Sequence, residues 1–112
     1  MTEQDFKRKS PATQRTIADI KSGDERIQVT GFIKEILSDE NFILKDDTGE
    51  ISVFYKEVNF PLKKDLLINV IGDFGIIDAQ GEKKIEAEII QDMQLLNFEY
   101  YEKIYELKKE FL

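Results

Sequence analysis

The chain contains no cysteine and no histidine among its 112 residues. Without cysteine the protein can form no disulfide and has no thiolate nucleophile, and without histidine it has no imidazole base. Zinc sites built from Cys or His are excluded for the same reason. These absences remove most hydrolytic and redox chemistry, and no cofactor is expected.

Motifs that mark catalytic or nucleotide-binding sites are also missing. The sequence has no G-x-S-x-G, no phosphate loop ending in Gly-Lys-Ser/Thr and no G-x-G-x-x-G. Adjacent Asp46 and Asp47 have the chemistry to hold Mg²⁺, but Asp-Asp-Thr-Gly between two apolar runs is far more typical of a turn. We therefore expect a protein that is not an enzyme.

Long apolar runs are absent. No stretch approaches the roughly 18 apolar residues of a membrane helix, and the first residues lack the basic and apolar regions of a secretory signal. We therefore expect an intracellular, cytoplasmic protein without membrane association.

The charge is unevenly distributed. The net charge is −7, and residues 27–92 carry 14 acidic and 7 basic side chains. Such a balance argues against a protein that coats nucleic acid through general electrostatic attraction alone.

The chain divides into three predicted parts. Residues 1–16 are polar and include several basic side chains, which predicts a flexible arm or, as the alternative, a basic flap that touches phosphate. Residues 17–94 form one barrel-sized domain, which Ile17 and Ile20 would anchor at one end. Residues 95–112 have the spacing of an amphipathic helix for packing or oligomerisation.

The middle part shows the two-residue period of β-strands. Ile27, Val29, Gly31 and Ile33 alternate with polar residues, and glycine in mid-strand permits the sharp coiling that a small barrel needs. Further strands are predicted at 42–45, 50–56, 66–77 and 84–91, with Ile85, Ala87 and Ile89 inward in the last. Turns are predicted at 46–49, where glycine would supply a positive φ, and at 78–81, and a connector or short helix at 59–65.

Apolar side chains after Met93 recur at helical spacing. The residues that would form an oligomerisation surface are Tyr100, Tyr101, Ile104, Tyr105, Leu107 and Phe111. The alternative is that this helix packs on its own barrel.

The order of strands and two segments of sequence carry a family resemblance. Val29-Thr-Gly-Phe-Ile33 and Phe42-Ile-Leu-Lys-Asp-Asp-Thr-Gly-Glu-Ile-Ser-Val53 resemble the OB-fold nucleic-acid-binding family. The similarity covers Ile17 to Leu112 and is greatest to the small or middle subunits of archaeal-type replication protein A and to telomere-capping relatives. The second segment also resembles the anticodon-binding OB domains of aminoacyl-tRNA synthetases.

The resemblance implies a fold, a partner and a function. It implies an all-β, five-stranded OB-fold barrel with a C-terminal amphipathic helix. Relatives bind single-stranded DNA in DNA replication and repair, as subunits of an OB-fold complex that associate through the helix after the last strand. The implied protein is therefore intracellular and associated with DNA.

Strand alternation predicts which side chains would bind. If Val29, Phe42 and Val53 point inward, their neighbours form an outer wall that OB folds use as a ligand platform. The candidate nucleic-acid-binding residues are Phe32, Lys34, Ile43, Lys45, Ser52, Phe54 and Lys56, with Lys83 and Lys84 in the loop between the last two strands. Burial of Phe32 and Phe54 under the helix or the arm is the alternative for the two rings.

The sequence leaves two alternatives to single-stranded DNA binding. One is an assembly subunit that contacts proteins with little nucleic-acid binding, which the net charge favours. The other is an RNA- or tRNA-binding domain that uses the same outer wall, because stacking tolerates either sugar.

Overall fold

A computed structural model describes residues 11–58, 60–76, 81–94 and 98–110 of the chain. The strands are β1 (Thr13–Gln14), β2 (Arg26–Ile36), β3 (Asn41–Asp46), β4 (Gly49–Phe54), β5 (Leu67–Ile76) and β6 (Lys83–Asp92). A 3₁₀ helix spans Ile17–Asp19, and α1 spans Phe98–Glu110. A closed five-stranded barrel with one terminal helix confirms the predicted fold class. In the described ranges, no helix is long and apolar enough to cross a membrane.

The barrel closes because β2 pairs with two different strands. Its residues 26–32 pair antiparallel with β5, and its residues 32–36 pair antiparallel with β3. On the other side, β4 pairs with β3 and then, in parallel, with β6. Pairing of β6 with β5 completes the circle through strands β2 to β6.

Gly31 lies beside the point where β2 changes partners. A Cβ atom at this position would collide with the backbone carbonyl oxygen of Lys45 on β3. Glycine therefore permits a close approach of the two strands that no other residue would allow.

Inward-facing aliphatic side chains fill the barrel. The buried core consists of Ile17, Ile20, Ile27, Val29, Ile33, Phe42, Leu44, Ile51, Val53, Leu66, Ile68, Val70 and Ile85. This set contains Ile17 and Ile20, the two predicted anchors. It also contains the aliphatic residues predicted to point inward on β2 and the inward residues Phe42 and Val53 of β3 and β4.

The prediction that Ile89 points inward is wrong. The register between β5 and β6 shifts, so that Ile71 pairs with Ile89 while Gly72 pairs with Ala87. The extra residue on β6 reverses the alternation beyond Ala87. Ile89 is therefore 41% exposed, and Ile90 packs against the core instead.

The turn between β3 and β4 is formed by an aspartate side chain. The prediction of a positive φ at Gly49 is wrong, because the described glycine with a positive φ is Gly81, at 81°. One carboxylate oxygen of Asp46 accepts hydrogen bonds from the backbone N–H of Thr48 (2.7 Å), the Thr48 hydroxyl (2.6 Å) and the Gly49 N–H (3.1 Å). Its other oxygen accepts from the Ile17 N–H at 2.9 Å. The Asp46 carboxylate thus fixes both the turn and the 3₁₀ helix.

The segment before the 3₁₀ helix is part of the fold. Thr13 and Gln14 pair in parallel with Ile27 and Gln28 of β2, and Arg15 makes two 3.0 Å hydrogen bonds to Asp24. The structure thus differs from the predicted arm over residues 13–16, and residues 1–10 of that arm lie outside the described residues.

The remaining connections are partly described. No helix occurs in the described part of the 59–65 connector, which ends in a turn at Lys64–Asp65 with Asp65 at φ 70°. Residue 59, most of the predicted 78–81 turn and the first residues of the predicted helical part, 95–97, lie outside the described residues.

One face of α1 docks on the segment around the 3₁₀ helix. Gln14 donates a 2.8 Å hydrogen bond to the Tyr101 hydroxyl, and the Thr16 N–H donates a 3.3 Å bond to the Tyr105 hydroxyl. Asp19 accepts from the Tyr105 hydroxyl at 3.1 Å and from Lys109 at 2.9 Å. Because these three helix residues are four apart, they share one face. The helix therefore packs on its own barrel along this face.

One unfavourable contact accompanies this docking. The Glu102 carboxyl group of α1 lies near the carboxylate of Asp47 in the β3–β4 turn. Burial and then the neighbouring carboxylates of Asp47, Asp46 and Glu99 raise the pKa of Glu102 from its usual 4.5 to about 7. The contact is thus most favourable when Glu102 is protonated.

We predict that Gly31→Ala destabilises the fold, because the new methyl group would force β3 away from β2. The expected loss is about 2–3 kcal/mol, which lowers Tm by roughly 10 °C. Gly23→Ala is the matched control, since nothing lies within 4 Å of a Cβ placed there. Thermal unfolding followed by circular dichroism checks both variants, and equal Tm values would contradict the role assigned to Gly31.

We predict that Glu102→Gln changes how stability depends on pH. The folded-state pKa lies above the unfolded one, so the contribution of Glu102 is fully present below about pH 4.5 and is lost as the pH rises through about 7. At pH 8 the variant should be more stable than wild type by about 1 kcal/mol, after allowance for solvent screening. Urea unfolding at pH 5 and pH 8 measures this, and a difference that does not grow with pH would contradict it.

Candidate nucleic-acid interface

The outer wall of β3, β4 and the start of β6 gathers five of the predicted binding residues. Their backbone pairings place Ile43 opposite Ser52, Ser52 opposite Lys84, and Lys45 opposite Glu50. Paired residues share a face of the sheet, and the alternate residues Leu44, Val53 and Ile85 are buried in the core. We call the outward-facing set the platform: Ile43, Lys45, Ser52, Phe54 and Lys84.

Phe54 is the aromatic centre of the platform. Its side chain is half-buried, and the ammonium nitrogen of Lys84 lies 5.6 Å from the ring centroid. The same nitrogen is 3.5 Å from a carboxylate oxygen of Glu86, whose side chain is 64% exposed. The ammonium group thus lies over the ring in a cation–π contact.

A groove of about 380 Å³ runs beside the platform. Its lining includes Ile43 and Ser52 from the platform and Gly81, Glu82 and Lys83 from the segment that enters β6. Lys83 and Lys84 were predicted in a loop, but they are the first two residues of β6. Strand pairing therefore fixes the backbone of both lysines next to the groove.

Phe32 does not join Phe54 on an open wall. Its ring packs edge to face against Phe98 of α1, with the centroids 5.1 Å apart and an angle of 69° between the planes. Phe98 in turn stacks on Tyr101 at 6.1 Å. Phe32 is thus partly covered by the helix, as the predicted alternative has it, although its side chain is only half-buried. Phe54 instead contacts Lys84 on this wall.

The remaining predicted lysines differ in their surroundings. Lys34 lies where the β2–β3 register shifts, and its ammonium nitrogen is 2.6 Å from a Glu50 carboxylate oxygen. This pair is about half exposed, and such surface pairs contribute about 0–1 kcal/mol. Lys45 has no ion pair within the described residues. Lys56 is exposed and lies two residues beyond the end of β4, so sheet pairing does not place it on the platform.

Three further residues belong to this wall, although their sequence positions do not reveal it. Asn41 and Glu86 flank Phe54 through backbone pairing, and Lys64 lines a depression of about 550 Å³ together with Lys34 and Lys45. Alternation within single strands indicates which residues point outward. Only the register between strands determines which of them are neighbours.

A second exposed surface lies on α1, away from the docked face. Tyr100 is 64% exposed and Leu107 is 53% exposed, with half-buried Ile104 between them on the helix. Tyr101 and Tyr105 of the predicted oligomerisation set face the chain's own barrel instead. Phe111 lies outside the described residues.

Comparison with known proteins gives structural similarity without sequence similarity. No protein-family model matches the chain, and no curated protein matches it significantly.

Several solved structures share the fold. Telomere capping protein Ten1 from Saccharomyces pombe has a TM-score of 0.69 at 15% identity, covering 89% of this chain and 99% of Ten1. A chain of the S. pombe Stn1–Ten1 complex has a TM-score of 0.66 at 15% identity, covering 90% of this chain and 94% of that chain. A chain of a replication protein A heterotrimer bound to ssDNA has a TM-score of 0.53 at 15% identity, covering 62% of this chain and 57% of that chain.

A protein from E. coli also has this architecture. The hypothetical protein YgiW from E. coli has a TM-score of 0.60 at 18% identity, covering 73% of this chain and 91% of YgiW. At such identities the comparisons report on the backbone alone. The strand order, the closed barrel and these neighbours together establish that the chain has an OB fold.

Proposed function

We propose that the chain binds single-stranded nucleic acid, with DNA as the main ligand, on the platform. The observation that carries the proposal is the outward-facing ring of Phe54, with the ammonium group of Lys84 5.6 Å from its centroid and apolar Ile43 on the neighbouring strand. An aromatic ring can stack on any base, and such stacking contributes about 1–3 kcal/mol per base. Ammonium groups beside the ring can neutralise the phosphates that accompany the stacked base.

The cations on the platform and beside its groove include Lys45, Lys83 and Lys84. The pair between Lys84 and Glu86 is long at 3.5 Å, and its carboxylate is exposed, so the ammonium group should exchange it readily for a phosphate group. Because the protein as a whole carries a charge of −7, binding should be moderate and should weaken with salt. Single strands are favoured because a duplex keeps its bases stacked and cannot offer a base face to Phe54.

We further propose that the chain works as a subunit of an OB-fold assembly in DNA replication and repair or in telomere capping. Support comes from the neighbours, since two of them are structures of complexes, one a heterotrimer bound to ssDNA. The surface that would meet another subunit is the exposed stripe of α1 formed by Tyr100, Ile104 and Leu107. Apolar side chains that recur at i, i+4 and i+7 are typical of a helix that contacts a partner.

A purely protein-binding assembly role is the second candidate function. The acidic balance of the barrel and the exposed stripe of α1 favour it, because neither feature requires nucleic acid. In that case the platform would be an ordinary solvated wall. The two candidates make opposite predictions for titration with single strands.

We predict that the chain binds labelled oligo-dT more tightly than duplex DNA, and that Phe54→Ala weakens this binding about tenfold. Fluorescence anisotropy at several salt concentrations measures both effects. Lys45→Ala should reduce the salt dependence of binding to single strands: the slope of log K against the logarithm of the salt concentration should be smaller in magnitude by about 0.7. Ile89→Ala is the control, since Ile89 is 41% exposed on β6 outside the platform.

Oligo-U in the same titration tests the RNA alternative. If the wild-type protein binds neither oligo-dT nor oligo-U, the nucleic-acid proposal is overturned and the assembly role is favoured. Unchanged affinity in Phe54→Ala would remove the platform as the binding surface.

We predict that the chain associates through the stripe of α1, so that its mass in solution exceeds the monomer mass of 13.1 kDa. Leu107→Glu should restore the monomer, because a charge cannot be buried at an apolar contact without loss of free energy. Leu37→Glu is the matched control, since Leu37 is 50% exposed and lies away from the helix. Light scattering at the highest attainable concentration checks this, and a monomeric wild type would rule out association with a second copy.

A further inference from the structure

Two polar side chains flank the platform ring in one cross-strand row. Asn41 of β3 pairs with Phe54 of β4, and Phe54 pairs with Glu86 of β6. Directly paired residues project from the same face with Cβ atoms about 5 Å apart. A base stacked on Phe54 would therefore have an amide on one side and a carboxylate on the other.

The carboxylate of Glu86 can only accept hydrogen bonds when it is ionised. It is 64% exposed, and its contact is the 3.5 Å pair with the Lys84 ammonium that covers the ring. A stacking base must displace this ammonium group, which can then move to a phosphate on its flexible stem. Once the ammonium group is displaced, the Glu86 carboxylate lies beside the edge of the base that stacks on Phe54.

Asn41 offers the complementary chemistry on the opposite side. Its side-chain oxygen accepts a 2.6 Å hydrogen bond from the Ser38 hydroxyl. This bond assigns the oxygen to Ser38 and directs the amide NH₂, a donor of two hydrogen bonds, to other acceptors. From β3 to β6, the row therefore presents the amide donor of Asn41, the ring of Phe54 and the carboxylate acceptor of Glu86.

Guanine fits this order better than the other bases. One edge of guanine carries the acceptors N7 and O6, and the Watson–Crick edge carries the adjacent N1–H and N2–H₂ donors. Adenine and cytosine offer one amino group each, and thymine offers a single N–H donor between two carbonyl oxygens that a carboxylate repels. A carboxylate beside two adjacent N–H donors can accept both.

We propose that this wall selects for guanine at the base that stacks on Phe54, with Glu86 and Asn41 as the residues that determine the preference. The inference rests on the proposed function and refines it. It also gives a reason for carboxylates on a nucleic-acid-binding wall, because on a domain of charge −7 phosphate attraction is weak and base contacts must supply more of the affinity.

The test compares single strands of equal length in fluorescence anisotropy with the full chain. One is oligo-dT, the second carries isolated guanines that cannot form quartets, and the third carries inosine, which lacks the N2 amino group. We expect the guanine strand to bind about tenfold more tightly than oligo-dT, with the inosine strand between them. Glu86→Gln should reduce the guanine preference to about twofold or less, with oligo-dT bound at least as tightly as by wild type, because the carboxylate that repels thymine carbonyls and pairs with Lys84 is gone.

Glu57→Gln is the matched control, since it makes the same change of charge at an exposed residue outside the row. It should keep the full preference. Asn41→Ala should reduce the preference in part, and circular dichroism verifies that each variant folds.

The outcomes separate the two proposals. Equal affinity for the guanine strand and oligo-dT would overturn the inference and leave single-strand binding intact. A preference that survives in both Glu86→Gln and Asn41→Ala would overturn the assignment to these residues. Absence of binding to every strand would overturn the proposed function itself.

Discussion

The close contact between β2 and β3 at Gly31 is the constraint on which the rest of the fold depends. Since no side chain occupies this position, the Lys45 carbonyl group approaches the β2 backbone, and β2 can leave β5 and continue along β3. One eleven-residue strand thereby belongs to two sides of the barrel. Closure in turn fixes the alternation of every long strand, because the aliphatic set must fill the interior.

Aromatic side chains on the outside of the barrel have two different roles. Phe32, Phe98, Tyr101 and Tyr105 attach α1 to the barrel, through ring contacts at one end and hydroxyl hydrogen bonds at the other. Phe54 takes no part in these helix contacts. The helix therefore contacts one of the two rings that sequence alternation places on the outer wall, and the other contacts Lys84.

Apart from Lys45, the lysines on and beside the platform that the structure pairs are held in close ion pairs rather than in a basic patch. Lys34 meets Glu50, and Lys84 meets Glu86, each at the surface where such pairs contribute little to stability. The lysines can therefore exchange a carboxylate for a phosphate at small cost. The carboxylates that remain suit amino groups on bases, so an acidic domain and a nucleic-acid ligand are compatible when base contacts carry part of the affinity.

The sequence by itself determined the barrel, its inward residues on the first three long strands and the terminal helix, because alternation and helical spacing are local properties of the chain. It failed at Ile89, where an extra residue on β6 reverses the alternation, and at Gly49, where the Asp46 side chain makes the turn. Only the tertiary structure decided that Phe98 covers Phe32 and that Asn41 and Glu86 flank Phe54. These neighbours are far apart in the chain, and the register between strands, set by barrel closure and bulges, brings them together.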